Sequence, residues 1–110
     1  MWEVGESTIE GQGIIASQDI KKGVTIGHAY DLIGEVNGKY IAGDISTLGS
    51  VHNHNPTPNA KPEIYINKIY FEAVKDIKQG TEITCNYNEY SDVLNIEKPL
   101  KEWQESNYEN

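Results

Sequence analysis

Apolar and polar residues alternate along most of this chain in short runs bounded by turn-forming residues. The clearest run is Thr81-Glu-Ile-Thr-Cys-Asn-Tyr87. A period of two puts Ile83, Cys85 and Tyr87 on one face and Glu82, Thr84 and Asn86 on the other, as in a half-buried strand. Glu82, on the polar face, is expected in solvent. Shorter β-like runs cover 14–16, 24–26, 30–36, 39–42, 63–67 and 68–74. Asn37-Gly38 between two of them is a hairpin signal. Ile64, Ile66, Ile69 and Phe71 are the expected core of the later pair. A helical turn is expected within 45–50, capped by Asp44 or Ser46. A longer helix is expected in 92–110, where Pro99 suits a first turn and Leu100 with Trp103 makes an i, i+3 pair. Many short strands separated by turns predict a mostly β fold.

One unit occurs twice. Ala16-Ser-Gln-Asp-Ile-Lys-Lys-Gly-Val-Thr-Ile26 and Ala73-Val-Lys-Asp-Ile-Lys-Gln-Gly-Thr-Glu-Ile83 coincide at six positions: Ala, Asp, Ile, Lys, Gly and Ile. The unit reads as a strand ending at Ala, an Asp that caps a tight turn, an inward Ile, and a Gly with positive φ before the next strand. Two such corners predict a compact sheet assembly in which each half covers the other.

The length of 110 residues fits a single domain, 1–110, with its motifs in 10–90 and an extension over 91–110. The net charge of −8 argues against a duplex nucleic-acid binder and suits a basic partner. A single cysteine, Cys85, excludes an internal disulfide framework and a multi-Cys zinc site, and reads as a small core residue. No apolar run is long enough to span a bilayer, and residues 1–6 lack the basic and apolar regions of a signal peptide. An intracellular, soluble protein is expected.

The stretch Val51-His-Asn-His-Asn-Pro-Thr-Pro-Asn59 breaks the β pattern. Its prolines cannot donate to a ladder and push their predecessors toward extended geometry, so it is expected to be neither helix nor central strand. It is either a surface turn or a binding loop. Gly11-Gln-Gly13, before the apolar 14–16, permits a tight turn and a close approach of backbone to a ligand, without the third Gly of a dinucleotide fingerprint. His52 and His54 stand at i, i+2 but no third metal ligand is nearby in the sequence. Taken alone, Tyr87 reads as a core tyrosine.

Taken together in order, Gly11-Gln-Gly13, Asn53-His-Asn-Pro-Thr-Pro-Asn59 and Gly80-Thr-Glu-Ile-Thr-Cys-Asn-Tyr87 resemble the motifs of the SET-domain protein lysine methyltransferases. The family's loop reads N-H-S-x-x-P-N, so Asn55 stands in the usual Ser place. Its strand reads G-E-E-[IL]-T-x-x-Y, so Thr81 stands in one Glu place. The corner Asp19-Ile-Lys-Lys-Gly23 also fits. The likeness covers roughly 10–90 and is greatest to the minimal viral SET proteins.

The resemblance implies a mostly β, β-clip-like SET fold of several short sheets, with a short C-terminal helix and a C-terminal pseudoknot in which the last strand threads the loop bearing Asn53. It implies methyl transfer from S-adenosyl-L-methionine to the ε-amine of a lysine on a protein, a histone tail being one candidate substrate. Backbone groups of Gly11, Gln12 and Gly13 would hold the cofactor's amino-acid end with the Asn53 side chain, and His54 its adenine edge. Tyr90 would help cover the cofactor. Tyr87 would be the catalytic tyrosine, aligning the amine rather than removing its proton. Tyr30, Tyr65 and Tyr70 are candidates for the substrate channel. No metal is implied, and the viral likeness suggests a homodimer. A non-catalytic β-rich interaction module is the alternative, motivated by Asn55 and by the altered spacing of Tyr30 and Gly34.

Overall fold

Period-two patterning becomes strand wherever one face finds apolar cover. In the computed structural model, which describes residues 1–36 and 39–89, the elements are β1 (Trp2–Glu6), β2 (Gln12–Ala16), β3 (Thr25–Val36), β4 (Lys39–Ile45), α1 (Thr47–Val51), β5 (Asn53–His54), β6 (Ala60–Tyr65), β7 (Lys68–Ala73) and β8 (Glu82–Cys85). They form two four-stranded sheets, ordered β1-β2-β8-β5 and β4-β3-β7-β6. The fold is mostly β, built of small sheets, as the alternation predicts.

The inward faces meet in one core. β7 supplies Ile69, Phe71 and Ala73, β8 supplies Ile83 and Cys85, β2 supplies Ile14 and Ala16, and Tyr30 and Leu48 join them. Each large apolar side chain buried there contributes about 1.5–3 kcal/mol. Cys85 is buried among them, as read. Helix α1 begins where expected: Ser46 is its N-cap, and its hydroxyl accepts from the Gly49 amide at 3.2 Å.

The two corner units pack against each other reciprocally. Ile20 and Ile77 exchange backbone hydrogen bonds, both 2.7 Å long, and each is 2 % exposed. The Gly23 amide donates to the Ala73 carbonyl and the Gly80 amide to the Ala16 carbonyl, both at 2.8 Å. Gly23 and Gly80 take φ of 88° and 87°, a region costly for residues with a Cβ. Each Asp caps the other's turn rather than its own. The Asp19 carboxylate accepts from the Gln79 amide at 2.8 Å and the Asp76 carboxylate from the Lys22 amide at 2.9 Å. The Lys22 amide, and next the charge of Lys21, hold the Asp76 carboxyl below its ordinary pKa. This local two-fold pairing ties the start of β3 to the start of β8.

Several boundaries differ from the sequence reading. Runs 24–26 and 30–36 are one strand, β3, whose pairing shifts register at four places. Such irregularities let a strand bend without ending, so Gly27 and His28 lie within it. β6 begins at Ala60, before Pro62, because it is an edge strand where a missing amide costs no ladder bond. The β6–β7 turn falls at Ile66 and Asn67. Ile66 is therefore not core but 81 % exposed, with φ of 57°. Strand β1 was not anticipated; it pairs antiparallel with β2, Trp2 opposite Ala16. Val36 pairs with Lys39 across the β3–β4 hairpin, but Asn37-Gly38 lie outside the described residues, as does the helix expected in 92–110. Among the described residues no helix is long and apolar enough to cross a membrane.

Candidate active site

The site begins with the two residues of β5. The prolines that keep the 51–59 stretch out of a sheet lie at 56 and 58, so Asn53 and His54 remain free to pair. They run parallel to β8, Asn53 opposite Thr84 and His54 opposite Cys85. The loop then closes over β8. The Asn55 amide donates to the Cys85 carbonyl at 3.0 Å. Further on, the Asn59 side chain donates to the Glu82 carbonyl at 2.8 Å and accepts from the Thr84 amide at 2.9 Å. Backbone groups of successive strand residues point to opposite edges. Binding Cys85 at one end and Glu82 and Thr84 at the other therefore carries the loop across the strand, the clasp expected of a pseudoknot. Asn55, in the unusual position, accepts from the Thr57 amide at 2.9 Å and hydroxyl at 3.1 Å, and so shapes the turn.

Asn53 is 3 % exposed. Its amide nitrogen faces Ser7 Oγ at 3.0 Å, the Glu10 carbonyl at 3.2 Å, the Gln12 carbonyl at 3.1 Å and Glu82 Oε2 at 2.8 Å. All four are acceptors, so the amide binds the backbone that leads into Gly13. The Gly13 position has no room for a side chain. A Cβ there would lie 2.3 Å from Glu82 Oε2 and 3.2 Å from Asn53 Nδ2. Gly11 turns with φ of 49°, and its carbonyl accepts from the Ser7 amide at 2.9 Å. Glu82 is thus partly buried and bonded, not solvated: both its oxygens accept from the Ser7 hydroxyl, at 2.7 and 2.9 Å. Neither Ser7 nor this role of Glu82 was visible in the sequence. The clue was register, since Ile15 opposite Glu82 places that carboxylate on the Gly13 side of the sheet.

Tyr87 follows β8 and is 6 % exposed. Its amide donates to His54 Nδ1 at 2.9 Å, and its hydroxyl donates to the His52 carbonyl at 2.7 Å. The His52 ring stands edge-on to Phe71 and Tyr87, with centroids 4.7 and 5.3 Å apart. Burial holds the His52 imidazole neutral, lowering its pKa to about 4 against the opposing pull of the Gly49 and Leu48 backbone. The two imidazoles are therefore committed to different neighbours.

Tyr30 is fully buried in the core, its hydroxyl 3.4 Å from the Gly49 carbonyl. Tyr70 lies edge-on to His28 on the second sheet. Tyr65 is 70 % exposed beside the β6–β7 turn, five residues from Ala60 and so roughly 17 Å along the strand from the clasp. Tyr90 lies outside the described residues.

Residues 37–88 match the family model described as the SET domain. No curated protein sequence matches the chain. Among solved structures, a candidate histone methyltransferase of Plasmodium falciparum is similar at 24 % identity, covering 79 % of this chain and 96 % of its own, with a TM-score of 0.66. A Polycomb Repressive Complex 2 chain from Chaetomium thermophilum, in an inhibitor complex, is similar at 26 % identity over 93 % of this chain with a TM-score of 0.67. The same complex in a structure with trimethylated histone is similar at 26 % identity over 79 % of this chain, TM-score 0.60. This chain spans 17 % and 14 % of those two Polycomb chains. With its small sheets and the loop clasped over β8, the chain has the fold of a SET domain.

Proposed function

We propose that this chain transfers a methyl group from S-adenosyl-L-methionine to the ε-amine of a protein lysine, with a histone tail as the first substrate to try. The observation that supports this reading is that the parallel β5–β8 pair sets Asn53 against Gly13 and, one residue on, His54 against the Tyr87 amide. The similarity to histone methyltransferases supports it, and the net charge of −8 suits a basic peptide.

The residues fit the cofactor's amino-acid end. Gly13 makes room for the Glu82 carboxylate and the Asn53 amide, and these hold the 11–13 backbone, whose own groups with Asn53 would meet the amino-acid end. When bound, S-adenosyl-L-methionine supplies an electrophilic methyl on a sulfonium. Tyr87 serves the other reactant. Its hydroxyl proton is given to the His52 carbonyl, so its oxygen presents lone pairs to whatever lies beyond. A lone-pair acceptor suits an incoming amine, which it orients by its N–H bonds. A phenol of pKa about 10 is no base at neutral pH, so Tyr87 aligns and does not deprotonate. The lysine, with an ordinary pKa of about 10.4, loses its proton as it leaves water for an apolar passage. Positioning then supplies much of the rate.

Incubation with isotopically labelled cofactor and a panel of basic proteins including histones, followed by mass spectrometry, tests this. Labelled methyl on lysine is expected with the native chain. Tyr87→Phe should fold and lose roughly 100-fold or more in turnover, the scale of one aligned transition-state contact. Absence of both cofactor binding and lysine methylation would leave the non-catalytic interaction module as the answer.

A further inference from the structure

A cavity of about 450 Å³ opens on the polar face of β8, and none of Gly13, Asn53, His54 or Tyr87 lines it. Its size is that of a small-molecule site. The floor is rich in donors. Thr84 is 4 % exposed and lines the cavity. Its amide is bonded to Asn59, but its hydroxyl makes no hydrogen bond among the described residues. That hydroxyl is not sealed from solvent, so it faces into the hollow. The Asn59 side chain, 8 % exposed, gives one nitrogen proton to the Glu82 carbonyl and keeps a second. Asn55 receives the Thr57 amide and hydroxyl on its oxygen, which leaves its nitrogen donors uncommitted.

The rim is cationic, although the chain as a whole carries a net charge of −8. Lys75 and Lys78 line it. Ion pairs among the described residues join His28 and Lys68 to Asp31, and Lys61 to Glu63 and Glu72; none includes Lys75 or Lys78. The two carboxylates at the cavity are already engaged, Asp76 by the Lys22 amide and Glu82 by the Ser7 hydroxyl. Both departures from the family's motifs, Asn55 for Ser and Thr81 for Glu, fall in this wall. The second sets a hydroxyl where a carboxylate would stand.

We propose that this cavity binds a phosphate monoester, with the Thr84 hydroxyl and the Asn55 and Asn59 amides holding its oxygens and Lys75 and Lys78 meeting its charge. Three acceptor oxygens on one tetrahedral centre suit donors that converge from floor, wall and rim. The volume exceeds that of a bare phosphate, and Ile9 and Ile77 give the cavity an apolar side, so the group arrives on an organic carrier. The site stands apart from the proposed methyl transfer and does not depend on it.

NMR titration of the isotopically labelled full chain tests this with inorganic phosphate, adenosine monophosphate, a short phosphoserine peptide and the peptide's unphosphorylated twin. Saturable shifts at Thr84 and at the Asn55 and Asn59 side-chain amides are expected with an organic phosphate, at a concentration about tenfold below that needed for inorganic phosphate. Whichever of nucleotide and phosphopeptide saturates first identifies the carrier. Thr84→Val removes a hydroxyl that has no internal partner, so it should fold and weaken this binding by about tenfold, the scale of one hydrogen bond to a charged group. Lys75→Gln together with Lys78→Gln should weaken it about as much, and should flatten its dependence on salt. No saturable shift with any of the phosphates would overturn the proposal, as would shifts elsewhere on the chain or equal shifts from the unphosphorylated twin. Saturation by inorganic phosphate alone would mean an adventitious ion only and would overturn it too. Undiminished binding by Thr84→Val would remove the cavity floor from the site and the proposal with it. Should Thr84→Val not fold, the two exposed lysines carry the test, and unchanged binding by their double variant would count against the proposal.

Discussion

Asn59 is the best place to test whether the clasp over β8 holds the site together. Its amide satisfies two backbone groups of one strand, the Glu82 carbonyl at 2.8 Å and the Thr84 amide at 2.9 Å, while being 8 % exposed itself. Asn59→Ala leaves both without a partner. An unsatisfied buried backbone group costs about 1–3 kcal/mol, so two would cost about 2–6 kcal/mol if no water reached them. A cavity of about 450 Å³ is lined by Asn59, Glu82 and Thr84, so water has a route in. The lower part of the range then applies, about 2–3 kcal/mol. For a domain of this size that lowers the melting midpoint by roughly 10–20 °C. Urea denaturation followed by circular dichroism is the assay, with the slope m expected unchanged because the same surface is exposed on unfolding. Asn59→Asp should also destabilise, since it keeps the acceptor for Thr84 but sets a carboxylate against the Glu82 carbonyl. A loss below about 0.5 kcal/mol for Asn59→Ala would refute the idea that these two bonds hold the strand.

Two further outcomes follow from the same structure. His52 titrates near pH 4 when folded and near its ordinary 6.5 when unfolded, so the unfolded chain takes up the proton first as pH falls. Stability from this group should therefore decline between about pH 6.5 and 4, by on the order of 3 kcal/mol in full, and His52→Phe should flatten that part of the urea-midpoint profile; an unchanged profile would contradict it. Ile66 is a β-branched residue at positive φ on an exposed turn, so Ile66→Asn should raise stability by about 0.5–1 kcal/mol, and a fall in the melting midpoint would contradict the strain.

How much was legible depended on whether a residue's role is local. The alternation of 81–87 and of 68–74 fixed which side chains face inward, because a strand has only two faces. The Ser46 cap and the glycines of the two corners were legible for the same reason, each answering to its immediate backbone. Turn position was less secure. The strand expected over 63–67 ends at Tyr65, so Ile66 falls in the two-residue turn and goes to solvent while Ile64, Ile69 and Phe71 keep their inward face.

What the sequence by itself determined is the set of parts: a mostly β chain, a repeated corner, a polar loop interrupted by prolines and a late strand ending in a tyrosine. Tertiary structure alone decided how those parts exchange partners. Asp19 and Asp76 each cap the other's turn, Asn59 reaches over β8, and Glu82 leaves solvent to grip Ser7 and Asn53. These bonds join residues 23 to 75 positions apart. Their geometry is set by sheet order and register, for which a linear pattern carries no local signal.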